Sequence, residues 1–83
     1  MKKKILIVDN DEINVAIFKE LLEEQYVLAT VSSGQQCLEK IYQFKPDLVL
    51  LDIIMPGMDG YETCRRIKSD PRSETTHIIL VSS

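Results

Sequence analysis

Eighty-three residues, 45% of them hydrophobic and 28% charged, fit one small globular domain and no more. A formal net charge of −3 gives no electrostatic ground for nucleic-acid binding, and no apolar run approaches the roughly 20 residues of a membrane span. The first apolar run, Ile5 to Val8, is too short for a secretory signal core, and two cysteines are too few for a disulfide framework or a metal knuckle, so a cytoplasmic protein with Cys37 and Cys64 as buried thiols is expected.

Lys2 to Lys4 form a solubilising start to the first strand, the aliphatic run Ile5 to Val8, which ends in Asp9-Asn10-Asp11. From Glu12 to Glu24 the apolar spacing turns helical, with Asp11 as N-cap. Val27, Leu28, Ala29 and Val31 form a second, weaker strand, and Ser32-Ser33-Gly34 a turn and cap. Gln35 to Phe44 reads as a helix with Cys37, Leu38, Ile41 and Tyr42 on one face, stopped by Lys45-Pro46. Leu48 to Leu51 lacks polar alternation, as a strand buried on both faces does, and runs directly into Asp52. Pro56-Gly57 turns the chain. A third helix runs from about Asp59 to Lys68, with Tyr61, Cys64 and Ile67 expected inward and Ser69-Asp70-Pro71 as its stop. Arg72 to Thr76 is a polar loop, His77 an exposed residue, and Ile78 to Val81 a fourth strand before Ser82-Ser83. Strands alternating with helices predict an α/β fold with a parallel sheet and right-handed crossovers.

The sequence also reads as unfinished. A wholly apolar final strand would be a bare sheet edge. At about 100° per residue, Ile13, Val15, Ile17, Phe18, Leu21 and Leu22 cover roughly 200° of the first helix, where packing on a sheet alone needs little over about 100°. The expectation is a missing C-terminal strand and helices, or a second chain, over that surface.

Two strands end in acid, at Val8-Asp9 and Leu51-Asp52. If they are neighbours, Asp9 and Asp52 converge at the sheet rim where open α/β folds bind ligands. Such a pair suits Mg²⁺, which takes one or two carboxylates and keeps several waters. A carboxylate held ionised there can attack phosphorus to give an acyl phosphate. Ser82, ending the fourth strand, can offer a hydroxyl on the same rim.

Four stretches, KKKILIVDNDEINVAIFKELLEE, VSSG, PDLVLLDIIMPGMDGYE and HIILVSS, together resemble the receiver domain of two-component response regulators. The stretch D-x-x-M-P-G-M-D-G from Asp52, with the acids after strand one, is the specific part. The resemblance implies a flavodoxin-like doubly wound parallel sheet. Residues 1–83 would be its N-terminal two-thirds, with four strands and three helices and without the fifth strand and last two helices. It implies Asp52 as the acceptor of a phosphoryl group from a sensor histidine kinase or phosphotransfer protein. Mg²⁺ would be held by Asp9, Asn10, Asp52 and the backbone carbonyl of Ile54. Ser82 falls where a hydroxyl rotates toward the phosphate, and Ser83 where a small residue leaves room for it. Asn10 stands where the family usually has a second acid, which predicts weaker Mg²⁺ affinity. The family's phosphate-pairing lysine belongs to the fifth strand, and loss of one such group can lower the rate on the order of 10²-fold. No output domain is named by the residues, and self-association through the open edge is expected.

Two other readings compete. A receiver-like module that binds partners without phosphorylation is favoured by Asn10. A Mg²⁺-dependent phosphatase with an aspartyl nucleophile commonly needs a second acid two residues on, and that position is Ile54. The chain is therefore expected to take one phosphoryl group and not to be a multiple-turnover enzyme.

Overall fold

In a computed structural model that describes residues 1–82, the chain runs β1 (Lys4–Val8), α1 (Glu12–Leu22), β2 (Val27–Val31), α2 (Gly34–Phe44), β3 (Leu48–Asp52), α3 (Gly60–Ser69) and β4 (His77–Val81). The described strands form one parallel sheet in the order β2-β1-β3-β4. The predicted doubly wound α/β architecture is the observed one, with every expected element in its place.

The helices begin where their caps lie. Asp11 accepts the Ile13 N–H, Ser33 the Gln36 N–H and Asp59 the Glu62 N–H. α1 stops at Leu22, two residues before the expected end, as the Gln25 and Tyr26 N–H groups both turn back to the Leu22 carbonyl. α2 ends on Lys45 in the left-handed conformation (φ 53°) just before Pro46. His77 is exposed, as expected, yet it opens β4 in register with Leu48.

Paired residues of a parallel sheet share a face. On one face Leu6, Val8, Val49 and Leu51 pack with Cys37 and Ile41 of α2, Ile67 of α3 and Met55 of the loop, all of them buried. This is the core. On the other face Ile5, Ile7 and, at the rim, Asp52 are buried, while Leu48 and Leu50 are half-buried and Ile79 is exposed. The expectation that the apolar run of β3 is buried on both faces is met on one face only, because α1 is the single helix on the other side among the described residues and packs toward β2.

α1 has no fully buried residue. Asn14, Val15, Phe18 and Leu22 are half-buried, whereas Ile13, Ile17 and Leu21 are 71%, 51% and 70% exposed. The unusually wide apolar arc is thus real, and half of it faces away from the sheet. One helix face departs from expectation. Tyr61 is 61% exposed, and the inward residues of α3 are Gly60, Thr63 and Ile67 with Cys64 beside them. Anchoring the helix by Gly60 puts the inward stripe at three- and four-residue spacings from that position, which turns Tyr61 outward. Cys37 is buried as expected and Cys64 half-buried.

Candidate functional site

The order β2-β1-β3 means that the chain moves one way from β1 to β2 and returns to the other side of β1 for β3. The winding direction reverses between β1 and β3, and open α/β sheets bind ligands at the carboxyl ends of the strands flanking such a reversal. Asp9 and Asp52 emerge there. Val8 is in register with Leu51, so the residues that follow them are neighbours on adjoining strands. Both carboxylates are buried, with Asp9 4% and Asp52 3% exposed.

Backbone N–H groups fix both side chains. Asp9 Oδ1 accepts the Asp11 N–H at 2.9 Å, and Asp52 Oδ1 accepts the Ile54 N–H at 3.3 Å. The Asp9 N–H donates to the Val31 carbonyl (3.1 Å) and the Ile53 N–H to the Val81 carbonyl (3.1 Å), tying the rim to β2 and β4. α1 starts three residues after Asp9, and α3 starts at Gly60, whose N–H bonds the Ile53 carbonyl; the N-terminal ends of both helices carry partial positive charge that favours anions. Gly57 (φ 75°) supplies the left-handed residue of the loop between β3 and α3.

The other expected site residues divide. Asn10 is exposed beside Asp9, and with Glu12, Thr30 and Gln36 it lines a cleft of about 600 Å³ that opens toward β2. Ile54 follows Asp52 by two residues with its side chain exposed. Ser82 lies one residue past Val81, the register partner of Asp52, and is exposed. It lines a separate cleft of about 230 Å³ against Asn14, Ile17 and Phe18 of α1. Register therefore brings Asp9, Asp52 and Ser82 to one rim, but Ser82 opens on the α1 side of it. Ser83 lies outside the described residues.

Two buried carboxylates at adjoining strand ends present hard oxygen donors. Among the described residues no group of three or more His, Cys, Asp or Glu side chains could hold a metal. Mg²⁺ is an ion that takes hard oxygens, one or two of them from carboxylates, and completes its shell with water.

Some residues that build this rim had no obvious sequence signal. Thr63, fully buried, donates its hydroxyl to the Asp59 carbonyl at 2.8 Å, and Gly60 donates its N–H to the Ile53 carbonyl at 2.8 Å. The Asp59-Gly60 pair marked a helix start without saying that the glycine touches β3.

Comparison with known proteins shows the family of the chain. A family model described as the response regulator receiver domain matches residues 5–83. Response regulator PleD of Caulobacter vibrioides is 37% identical over 84 residues, an alignment covering 100% of this chain and 18% of that protein. The solved N-terminal domain of a response regulator receiver protein from Methanoculleus marisnigri JR1 is 43% identical with a TM-score of 0.91, and the match covers 94% of this chain and 64% of that one. The phosphorylated cyanobacterial phytochrome response regulator RcpA is 28% identical with a TM-score of 0.89, over 99% of this chain and 66% of that one. The chain spans less than two thirds of the M. marisnigri domain and a smaller part of PleD. It belongs to the response regulator receiver domain family.

Proposed function

We propose that this chain is a phospho-acceptor of two-component signalling, which takes a phosphoryl group on Asp52 from a sensor histidine kinase or phosphotransfer protein in the cytoplasm. The observation that carries the reading is the pair of buried carboxylates, Asp9 and Asp52, at adjoining strand ends on the winding reversal. A relative of the same fold has been solved phosphorylated. An oxygen of the Asp52 carboxylate attacks phosphorus as the bond from phosphorus to the donor's histidine nitrogen breaks, and that electron pair stays on the imidazole. Asp9, Asn10, Asp52 and the Ile54 carbonyl are the residues that would hold Mg²⁺. Bound Mg²⁺ would supply neutralising charge for the carboxylates and the phosphoryl oxygens. The backbone N–H of Ile54 aims Asp52, that of Asp11 holds Asp9, and the Ser82 hydroxyl donates to a phosphoryl oxygen. The chain turns over no further substrate in this role.

Incubation with Mg²⁺ and acetyl phosphate should add one phosphoryl mass to the chain, and Asp52→Asn should abolish it. An unmodified wild-type chain sinks the reading. Asn10, a neutral residue in the acidic cluster, favours one alternative, a module that binds partners without phosphorylation. Partner binding indifferent to Asp52→Ala and to Mg²⁺ would select it. A second copy of the chain is the proposed cover for the exposed apolar residues of α1 and the open side of β4, which ends the described sheet.

A further inference from the structure

Gly60, the first residue of α3, sits against the backbone of the strand that carries Asp52. A Cβ placed on it would lie 2.3 Å from the Asp52 carbonyl oxygen, 2.7 Å from the Ile53 Cα and 3.0 Å from the Asp52 carbonyl carbon. All three atoms are main chain, so no flexible side chain can swing aside. Gly60 also donates its N–H to the Ile53 carbonyl at 2.8 Å. The start of α3 thus rests on the peptide between the acceptor and the next residue, and that peptide leads directly to Ile54.

We propose that Gly60 is a positioning residue for the phospho-acceptor rim: the missing side chain lets α3 clamp the Asp52–Ile53 peptide, which sets both the Asp52 carboxylate and the Ile54 carbonyl. This rests on the reading of Asp52 as acceptor. An added methyl group must either lift α3 off the rim, breaking the Gly60–Ile53 hydrogen bond, or push the Asp52–Ile53 peptide aside. In both cases the rim oxygens move by something near an ångström, and Mg²⁺ demands near-ideal octahedral geometry. A displacement of about 1 Å at a reacting group can cost about 10²-fold in rate.

Gly34 offers a matched control. A Cβ there would meet the Thr63 hydroxyl at 2.2 Å, an equally severe overlap but against a side chain, with the Met58 carbonyl and Sδ farther off at 3.3 Å. Both Gly60→Ala and Gly34→Ala should lower the melting temperature. Gly60→Ala acts on the rim backbone directly, and Gly34→Ala only through the Thr63 side chain. Mn²⁺ titration by water-proton relaxation should show Gly60→Ala weakening the ion's binding at least about tenfold, and acetyl phosphate labelling should slow by about 10²-fold. Gly34→Ala should lose clearly less than Gly60→Ala on both readouts, because its overlap reaches the rim only through the Thr63 hydroxyl and its bond to the Asp59 carbonyl. Wild-type-like Mn²⁺ affinity in Gly60→Ala overturns the proposal while leaving the acceptor reading intact; a wild-type chain that binds no Mn²⁺ and takes no phosphoryl group overturns both.

If Gly60→Ala does not fold, the wild-type chain decides. Saturating Mg²⁺ should shift the Gly60 amide resonance and slow its hydrogen exchange, with the Gly34 amide unchanged. An unresponsive Gly60 amide refutes the clamp.

Discussion

Two substitutions of similar size should have opposite consequences, because the two faces of the sheet are unequally covered. Ile67 of α3 is fully buried among Leu6, Val49 and Leu51, whereas Leu21 of α1 is 70% exposed. Ile67→Ala removes buried methyl and methylene groups and leaves a cavity, a change that costs about 2–5 kcal/mol. A domain of this size holds about 4–12 kcal/mol in total, at roughly 0.05–0.15 kcal/mol per residue. The variant should therefore lose about a sixth of its stability or more, and its melting temperature should fall by about 4–8 °C for each kcal/mol lost. Leu21→Ala in an isolated copy should change stability by no more than about 0.5 kcal/mol. If a second copy covers α1, the same leucine contributes about 1.5–3 kcal/mol on association, and its loss appears only where copies meet. Urea unfolding followed by circular dichroism, on dilute and concentrated samples of both variants, separates the cases. Ile67→Ala should be destabilised at both concentrations and Leu21→Ala in the concentrated sample alone. Equal destabilisation in the dilute sample would falsify the assignment of the core to the α2/α3 face.

Other outcomes follow from side chains away from the rim. Hydrogen bonds from Arg65 and Arg66 hold the Glu62 carboxyl down at about 2, so this surface ion-pair cluster is fully formed above the ordinary glutamate range near about pH 4.3 and fades as the pH falls toward 2. Glu62→Gln should melt below wild type at neutral pH, with a gap that closes near pH 2 and narrows with salt; a gap constant with pH contradicts this. Asp70 is held well below the usual carboxylate range by Arg72 first and then by the Tyr42 hydroxyl, which donates to it at 2.6 Å, while the Arg72 guanidinium lies 4.0 Å over the Tyr42 ring. Tyr42→Phe keeps the ring and removes the donor, so Asp70 should titrate higher by carbon-detected NMR, and an unmoved titration would show that the hydroxyl does not act on it. Burial pushes the Cys37 thiol up to about 12, whereas Cys64 is only half-buried. Iodoacetamide at neutral pH should modify one cysteine in the native chain and two in urea, and equal native rates at both would refute the burial of Cys37.

The elements were legible in the sequence because each carries a local signature. The aliphatic runs of β1 and β3 show no polar alternation, Asp11 and Ser33 cap their helices as their types suggest, and Lys45-Pro46 stops α2. Tyr61 was misassigned for a different reason. Periodicity fixes the spacing of an inward stripe but not its phase, and the phase of α3 is set by the contact of Gly60 with the Asp52 backbone, far away in local sequence logic. Thr63 shows the same effect, because a threonine at a helix position gives no sign that its hydroxyl is satisfied by the Asp59 carbonyl and can therefore be fully buried.

The acidic rim was only half legible, and strand order explains why. Each acid at the end of an apolar run is visible alone, but the chemistry needs Asp9 next to Asp52, and that requires β3 to return to the far side of β1 instead of adding beyond β2. No residue near either aspartate encodes that choice. It is made by coverage: β1, with Ile5, Leu6, Ile7 and Val8 all buried, needs a strand on each side, whereas β2, with Val27 and Thr30 exposed and no residue fully buried, tolerates the edge. β3, with Val49 and Leu51 buried, takes the remaining place beside β1. The hydrophobic ranking of the strands thus fixes the sheet order, the order creates the winding reversal, and the reversal sets the two carboxylates side by side.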